Sequence, residues 1–342
     1  NKYCAEASAK MYNAEGGVLI DGARHKIEVV SIDTRQDPEI AKAGAEQLVN
    51  QENIKYIIGP NVDRTSASVA PVMEAGGAIY ISYSFTKAIF SAPHEHAILG
   101  MVASYQSGPI IYKYLMENHG LKSIAFVARN HQDPLNQRRD GIEAAKKLGL
   151  TITSWQGTYE PGTTDFFLIM TEVVNSNPDL IVLSGVSPGA APLLLKAARQ
   201  LGYKGFISTE TAQDINTLNE VAGEHAEGFI FVGGASTPEI ASDAMHEFKK
   251  VYEEIAGEWH DEAGTKVYAV PMILYTLQKA GAAAIDDVEL FKKAIPEVAV
   301  QNPYLKEEKI LKYVGTEYFE QPHQIGIPLV VNIVKDGKLE TL

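Results

Sequence analysis

The chain has 342 residues, of which 45% are hydrophobic and 21% are charged, and its formal net charge at pH 7 is −13. This length favours two domains, and the negative charge disfavours nucleic acid and anionic membrane surfaces as partners. No apolar run approaches the roughly 18 residues of a membrane span. The single cysteine, Cys4, excludes an internal disulfide and a cysteine-based metal site.

The first third of the chain alternates between predicted helices and strands. They are a helix over 1–13, a strand over 26–32, a helix over 38–50, a strand over 56–58, a helix over 67–75 and a strand over 78–81. Thr65 and Ser66 are favourable N-cap residues for the last of these helices, and Gly76-Gly77 ends it. This alternation is typical of parallel βαβ crossovers.

A second set of alternating elements follows a pause at residues 99–104. It comprises helices over 105–119, 135–148, 164–175 and 190–201 and strands over 124–127, 151–158, 180–183, 206–208 and 229–232. Thr163 and Thr164 are candidate caps for one helix, and Asp214 caps a further short one.

The last hundred residues are predicted to be mainly helical. The helices cover 239–256, 265–284 and 286–294, and a closing hairpin over 327–334 and 339–342 turns on Asp336-Gly337. The fold class predicted for the chain is therefore α/β with two sheets.

Two neighbouring loops of the first sheet form a candidate ligand crevice. Ligands of open α/β sheets bind at the carboxyl ends of strands, and both loops lie there. The first loop offers hydroxyls and the amides of a helix N-terminus, which favour an anion. The second loop, 82–86, offers Ser84, Thr86 and aromatic side chains.

Gly185–Gly189 matches the G-x-S-x-G pattern of a serine hydrolase and lies between a strand and a helix. Asp214 and His225 follow Ser187 in an order that a triad allows. The residue after the serine is Pro188, which has no backbone N–H for an oxyanion hole. The pattern therefore favours an ordinary strand-to-helix loop over a nucleophile.

His94-Glu95-His96 is a weak metal signal, because no further ligand lies near it in sequence, and a solvated loop is the favoured interpretation. The chain has no G-x-G-x-x-G and no P-loop, so nothing supports nucleotide binding. We therefore predict neither a cofactor nor a metal, and no enzymatic activity.

Several segments, in this order and spacing, resemble the periplasmic solute-binding proteins of branched-chain amino acid (Leu/Ile/Val) ABC transporters. They are Asn13–Gly17, Gly22, Asp33, Asp37-Pro38, Ile57–Pro60, Ala198–Gly202, Ala222–Gly228 and Val334–Lys338. The resemblance covers essentially the whole chain.

The resemblance implies two Rossmann-like lobes with parallel central sheets, joined by a three-stranded hinge (a type I periplasmic binding protein). Lobe 1 would comprise residues 1–102 and 236–322, and lobe 2 residues 103–235 and 323–342. The hinge would close the lobes around a small-molecule ligand in the cleft between them. The resemblance further implies a membrane permease as the partner, a periplasmic or extracellular location and a monomeric state, and it leaves open a lipid anchor on the full-length precursor.

The resemblance also implies ligand-binding positions in both lobes. They are Asp63, Arg64, Thr65 and Ser66 in the first loop, Tyr83, Ser84, Phe85 and Thr86 in the second, and Asp133, Ser187, Glu210 and Tyr268 elsewhere. Glu210 matches the acid that meets a ligand ammonium, and Tyr268 lies near an aromatic wall of the site.

The chain departs from the family in two ways. The first strand of lobe 1 is missing, which leads us to expect that the natural protein has a further N-terminal segment. Asp63-Arg64 also replaces a serine that commonly binds the ligand carboxylate. Asp63 would repel a carboxylate and Arg64 could clamp one, so an aromatic acid beside Tyr83 and Phe85 stays an alternative to an amino acid.

The residues alone leave two other classes of function open. One is the ligand-sensing domain of a receptor or regulator with the same architecture, although no DNA-binding or transmembrane segment is visible in the sequence. The other is a serine hydrolase that uses Ser187, against which Pro188 argues.

Overall fold

The computed structural model describes residues 1–342. Contacts divide the chain into two units. The first unit comprises Asn1–Met101, Ile240–Trp259 and Ala263–Pro328. The second comprises Val102–Glu239, His260–Glu262 and Leu329–Leu342.

The helices and strands are numbered in chain order. The helices are α1 (Lys2–Ala14), α2 (Pro38–Glu46), α3 (Asp63–Gly76), α4 (Ser104–His119), α5 (Gln132–Lys147), α6 (Phe167–Asn175), α7 (Ala191–Gln200), α8 (Ile215–Val221), α9 (Asp243–Ala256), α10 (Ala269–Ala280), α11 (Val288–Ala294) and α12 (Thr316–Phe319). The strands are β1 (Val18–Ile20), β2 (Ala23–His25), β3 (Tyr56–Ile58), β4 (Ile79–Ser82), β5 (Ala97–Leu99), β6 (Ser123–Arg129), β7 (Thr151–Tyr159), β8 (Leu180–Ser184), β9 (Phe206–Thr209), β10 (Phe229–Gly233), β11 (Ala299–Gln301), β12 (Ile310–Val314), β13 (Gln324–Ile325), β14 (Val330–Lys335) and β15 (Lys338–Thr341).

The first unit is built on a six-stranded sheet of order β11-β12-β13-β5-β4-β3. Strands β3, β4, β5 and β13 are parallel, and β12 and β11 continue the sheet antiparallel. All four residues of β4 are buried, which is typical of a strand covered on both faces. The loops after β3 and β4 therefore leave the same edge of the sheet.

The second unit is built on a seven-stranded sheet of order β15-β14-β10-β9-β8-β6-β7. Strands β7, β6, β8, β9 and β10 are parallel, and β14 and β15 form an antiparallel hairpin at one edge. One apolar core lies between the sheet and helices α6 and α7, and another lies between the sheet and helices α4 and α5.

The two α/β units with mostly parallel sheets confirm the predicted fold class. The closing hairpin is also confirmed, with Asp336 and Gly337 at φ 49° and 69° in its turn. No helix of the structure is both long enough and apolar enough to cross a bilayer.

The predicted strand over residues 26–32 was wrong. Its side chains alternate between half-buried and exposed, but no strand of either sheet pairs with it. The alternation describes side-chain burial, whereas a strand also requires a hydrogen-bonded neighbour.

The short strands β1, β2, β5, β11, β12 and β13 were not predicted, and several predicted helices were too long. Helix α6 begins at Phe167 with Phe166 as its N-cap, so the prediction that Thr163 and Thr164 cap it was wrong. Helix α9 begins at Asp243 rather than residue 239, because the Ser242 side chain accepts a hydrogen bond from Met245 N and caps it there. Helix α10 covers only part of the predicted 265–284, since short 3₁₀ turns lie on both sides of it.

The unit boundaries fall at 101/102, 239/240 and 328/329, whereas the sequence places the crossings at 102/103, 235/236 and 322/323. The last difference has a clear cause. Leu99 N donates to His323 O, and Gln324 pairs with Leu99, so residues 323–325 extend the six-stranded sheet.

Gly205 lies in the turn before β9, and a substitution there tests how closely this turn packs against its neighbours. A Cβ at Gly205 would lie 2.7 Å from the Asp179 carbonyl oxygen, which is fixed backbone. We expect Gly205→Ala to lower the free energy of unfolding by about 1–3 kcal/mol, measured by urea denaturation. Gly189→Ala is the control, because nothing lies within 4 Å of its Cβ position. An equal effect of both substitutions would contradict the steric explanation.

Candidate functional site

The first loop of the first unit is shorter than predicted, because helix α3 begins earlier. Its N-cap is Val62, with no side-chain cap, so the prediction that Thr65 and Ser66 cap the helix was wrong. Both lie in the first turn of α3 and are fully buried. Thr65 Oγ1 donates to Val62 O at 2.9 Å, and Ser66 Oγ lies 2.9 Å from Ser82 Oγ at the end of β4.

Asp63 joins the two loops. Its Oδ1 accepts hydrogen bonds from Ser84 Oγ and from Phe85 N, each at 2.7 Å, and the residue has no exposed surface. Thr86 N donates to Ser84 Oγ at 3.0 Å, which extends the arrangement along the second loop. The Asp63 carboxylate, which the sequence places beside a ligand, therefore has a structural role in joining the two loops.

Arg64 lies at the surface and its Nη2 donates to Gln36 O at 2.8 Å. The second loop is half-buried to buried: Tyr83 is 3% exposed, and the Lys266 ammonium lies 5.6 Å from its ring centroid. Thr86 Oγ1 is buried and has no hydrogen-bond partner. Thr86 is thus a hydroxyl at the loop with unused hydrogen-bonding capacity.

Tyr268 lies in the core of the first unit, immediately before α10, and is 1% exposed. Its hydroxyl accepts a hydrogen bond from Asn302 Nδ2 at 3.2 Å, and its ring packs edge-on against Tyr304. Burial raises the pKa of the Tyr268 hydroxyl to about 12.

In the second unit, Glu210 follows β9 and is 3% exposed. Its Oε1 accepts a hydrogen bond from the Tyr112 hydroxyl of α4 at 2.9 Å, and its Oε2 has no partner. This pair lies beside Gly108 of α4, where a Cβ would be in ordinary van der Waals contact with Glu210 Oε1 at 3.6 Å. A buried carboxyl with one open oxygen can receive a donor group.

The environment of Glu210 makes its charge costly. Burial raises the pKa of the Glu210 carboxyl to about 7, the Tyr112 hydrogen bond acts in the opposite direction, and the Asp140 charge adds to the rise. Asp140 accepts a hydrogen bond from Ser104 Oγ at 3.1 Å and pairs with Arg139 at 3.3 Å. The carboxyl therefore changes protonation state near neutral pH.

Three further polar side chains near this end of the sheet were missed by the sequence analysis. They are Gln137 of α5, Ser184 of β8 and Ser208 of β9, each 1% exposed. Gln137 Oε1 and both serine hydroxyls have no partner. The signal in the sequence was a serine at the end of one apolar strand and inside the next, a position where a buried strand is otherwise aliphatic.

Asp133 lies in the first turn of α5 and is 8% exposed, with His131 Nδ1 at 4.0 Å from its Oδ1. Ser187 lies in the loop between β8 and α7, and is half-buried. A nucleophile elbow places its serine on a sharp turn directly between strand and helix, whereas Ser187 lies three residues after the end of β8 at Ser184 and four before the start of α7 at Ala191. Asp214 is the N-cap of α8 and accepts from Thr217 N.

The His94-Glu95-His96 segment is less exposed than the predicted solvated loop, because His96 is only 9% exposed. Glu74 accepts hydrogen bonds from the backbone N–H groups of Glu95 and His96. No group of three or more His, Cys, Asp or Glu side chains in the structure is arranged to hold a metal ion.

Comparisons with known proteins extend over nearly the whole chain. The profile of the family described as "Periplasmic binding protein" matches residues 1–324. A curated relative, an amino acid binding protein of Pseudomonas aeruginosa, is 24% identical in an alignment 339 residues long that covers 95% of this chain and 86% of the relative.

Two solved structures show the same fold. The leucine binding protein LivK of Thermotoga maritima has a TM-score of 0.79 and 22% identity, over 99% of this chain and 92% of that chain. The second is LivJ of Streptococcus pneumoniae, a branched-chain amino acid transporter substrate binding protein in complex with isoleucine. It has a TM-score of 0.79 and 20% identity, over 99% of this chain and 93% of that chain. The resemblance drawn from the sequence is confirmed.

A substitution of Asp63 tests the hydrogen bonds by which its carboxylate joins the two loops. Asp63→Ala leaves the Ser84 hydroxyl and the Phe85 N–H without their acceptor, so we expect a loss of about 1–3 kcal/mol in unfolding free energy. In a double-mutant cycle with Ser84→Ala, measured by urea denaturation, the two losses should be less than additive. Asp243→Ala, at the exposed first residue of α9, is the control and should cost about 0.5 kcal/mol. Strict additivity in the cycle would exclude the direct contact.

Glu210 provides a test of the buried carboxyl. Its pKa is raised from 4.5 to about 7 in the folded protein, so between these values the folded state binds more protons than the unfolded state. The unfolding free energy must therefore fall as pH rises through this range. Glu210→Gln removes the cost of ionising a buried carboxyl. Above pH 7 we expect this variant to be more stable than the unmodified protein by up to about 3 kcal/mol, and below pH 4.5 we expect the two to be equally stable.

Urea denaturation at several pH values measures this difference. Glu220→Gln, on the exposed side of α8, is the matched control and should show no such pH-dependent gain. A stability difference between Glu210→Gln and the unmodified protein that does not change with pH would contradict the raised pKa.

Proposed function

The chain belongs to the periplasmic binding protein family, and from this premise we propose that it is the extracytoplasmic solute-binding component of an ABC importer. Its ligand is a small amino acid or a related carboxylate, and its partner is the membrane permease of that importer. The names of its relatives support this proposal, since one is an amino acid binding protein and another was solved with isoleucine.

The observation that carries the proposal is the unpartnered Oε2 of Glu210 at the carboxyl end of β9. An ionised carboxylate forms a charge-assisted hydrogen bond with an ammonium group, and this bond is stronger when the group is shielded from water. An aromatic acid without an amine would leave this oxygen without a donor. We therefore favour an amino acid over the amine-free alternative.

In the first unit we propose the second loop as a binding position for a carboxylate group. The Thr86 hydroxyl is buried without a partner and can donate. Asp63 does not stand against this assignment, because Oδ1 of its carboxylate is occupied by Ser84 and Phe85 N. Arg64 is directed to Gln36 O at the surface, so we do not assign it a role as a clamp.

We assign no catalytic step to the chain. Ser187 is followed by Pro188, which has no N–H to stabilise an oxyanion. Asp214, which a triad would require, is occupied as a helix cap.

The experiment is a thermal-shift and calorimetric screen with leucine, isoleucine and valine. A ligand that binds only the folded state adds about 2.7 kcal/mol of stability at a hundredfold excess over its Kd. We expect a clear shift with at least one of the three and a weakened affinity in Thr86→Val, by about tenfold. Thr171→Val is the control, because the Thr171 hydroxyl donates only to Phe167 O within α6. A folded protein that no amino acid stabilises would overturn the proposal.

A further inference from the structure

Arg129 and Tyr159 are the last residues of two neighbouring strands of the second unit, β6 and β7. They lie directly opposite each other in the parallel pairing of these strands. Val127, two residues before Arg129, packs in the same apolar core as Tyr159, and side chains two residues apart on a strand share a face. The two side chains therefore lie side by side, on the face of the sheet that α6 and α7 cover.

Arg129 is half-buried and has no acceptor in the structure. Its Nε is buried without a hydrogen-bond partner, and its guanidinium forms no ion pair. The other three arginines of this unit all have acceptors: Arg138 donates to Gly157 O at 3.1 Å, Arg139 to Asp140 at 3.3 Å and Arg199 to Tyr203 O at 3.0 Å. A partly buried cation without any acceptor is costly, so the state of Arg129 needs an explanation.

The Tyr159 hydroxyl is a second donor without a partner. The residue is 8% exposed, and its hydroxyl is buried and forms no hydrogen bond. Burial raises the pKa of this hydroxyl to about 12, and the positive charge of Arg129 acts in the opposite direction. The hydroxyl thus keeps its proton at neutral pH and can donate it. Its ring packs edge-on against Phe166, the N-cap residue of α6, so the side chain lies near the positive end of that helix dipole.

The carboxylates that follow these two strands all have partners within the second unit. They are Asp133 with His131 Nδ1 at 4.0 Å, Glu160 with Asn130 Nδ2 at 2.7 Å and Asp165 with Phe167 N at 3.0 Å. None of them pairs with Arg129. Their negative charges lower the affinity of this region for an anion, so we expect modest rather than tight binding there.

We propose that Arg129 and Tyr159 form a binding site for an oxyanion, that is, for a carboxylate or a phosphate group. A guanidinium presents its N–H donors in a planar fork that matches two oxygens of such a group. The Tyr159 hydroxyl adds a donor from the neighbouring strand. The oxyanion is either a free ion or an acidic group of a solute, and both sources share this chemistry. Glu210 and Thr86, the residues proposed for an amino acid, take no part in it.

The experiment measures the binding of inorganic phosphate and of acetate by isothermal titration calorimetry, in an amine buffer at constant ionic strength. Constant ionic strength separates a specific site from general screening of charge. We expect the unmodified protein to bind at least one of the two anions. The affinity should fall about tenfold in Arg129→Gln and about threefold in Tyr159→Phe, because a hydrogen bond from a charged donor is the stronger one.

Each substitution has a matched control. Lys146→Gln removes the same charge from the exposed end of α5, and Tyr114→Phe removes a half-buried hydroxyl from α4. Both should keep the affinity of the unmodified protein. Arg129→Lys keeps the charge but loses the planar fork, so its affinity should lie between those of Arg129→Gln and the unmodified protein. An equal loss in Lys146→Gln would show a general effect of net charge and would overturn the site.

Thermal denaturation in the same buffer tests whether Arg129 is instead a structural residue. An unpaired, partly buried charge costs stability, so without an oxyanion Arg129→Gln should melt no lower than the unmodified protein. Phosphate should raise the Tm of the unmodified protein more than that of the variant. A variant that is less stable, or that does not fold, would overturn the proposal, because Arg129 would then have its partners within the chain.

A comparison of glutamate with glutamine separates the two sources of the oxyanion. If the site takes an acidic group of a solute, glutamate should bind more tightly than glutamine, and Arg129→Gln should remove this preference. If it takes a free ion, phosphate or acetate should bind equally well with and without either amino acid. Binding of leucine together with no binding of phosphate, acetate or glutamate would overturn the site and leave the proposed function intact. Binding of phosphate that Arg129→Gln abolishes, without binding of any amino acid, would support the site and overturn the proposed function.

Discussion

The parallel pairing of strands is the constraint on which the rest of the structure depends. Parallel strands need crossover connections, and these return the chain so that every strand of the parallel part ends at the same edge of its sheet. In the first unit this edge receives the loops after β3 and β4, and in the second unit the residues after β8 and β9. Polar side chains distant in sequence are collected there without any local signal that joins them.

The two units resolve the cost of a buried carboxyl in different ways. Asp63 receives a hydroxyl and a backbone N–H on one oxygen, and its carboxylate thereby connects two loops. Glu210 accepts a hydrogen bond from the Tyr112 hydroxyl, lies near the charge of Asp140, and has a pKa raised to about 7. The first arrangement supports the backbone of the two loops. The second leaves a carboxyl with one open oxygen, where a cationic group of a ligand would favour the ionised form. Carboxyls with a shifted pKa are frequent at binding sites.

The sequence was most informative where an element is long and its apolar pattern is strong. Helix α4 lies where the pattern predicts it, and the hairpin turn at Asp336-Gly337 follows from residues that tolerate positive φ. The pattern was least informative where pairing alone makes a strand. Two-residue β13 exists because Gln324 lies beside Leu99, and residues 26–32 fail to form a strand because nothing pairs with them.

The sequence by itself determined the α/β class, the order of most elements, the two polar loops and the position of Glu210 after a strand, because these depend on local periodicity and turn chemistry. It could not supply the partners of those residues. Tyr112 and Glu210 are 98 positions apart, and Asp63 and Ser84 are 21 apart, so only the packing of α4 on the sheet and the parallel pairing of β3 with β4 decided that they meet. The tertiary structure also decided which oxygens are left open, because hydrogen-bond satisfaction is a property of neighbours in space and not of neighbours in the chain.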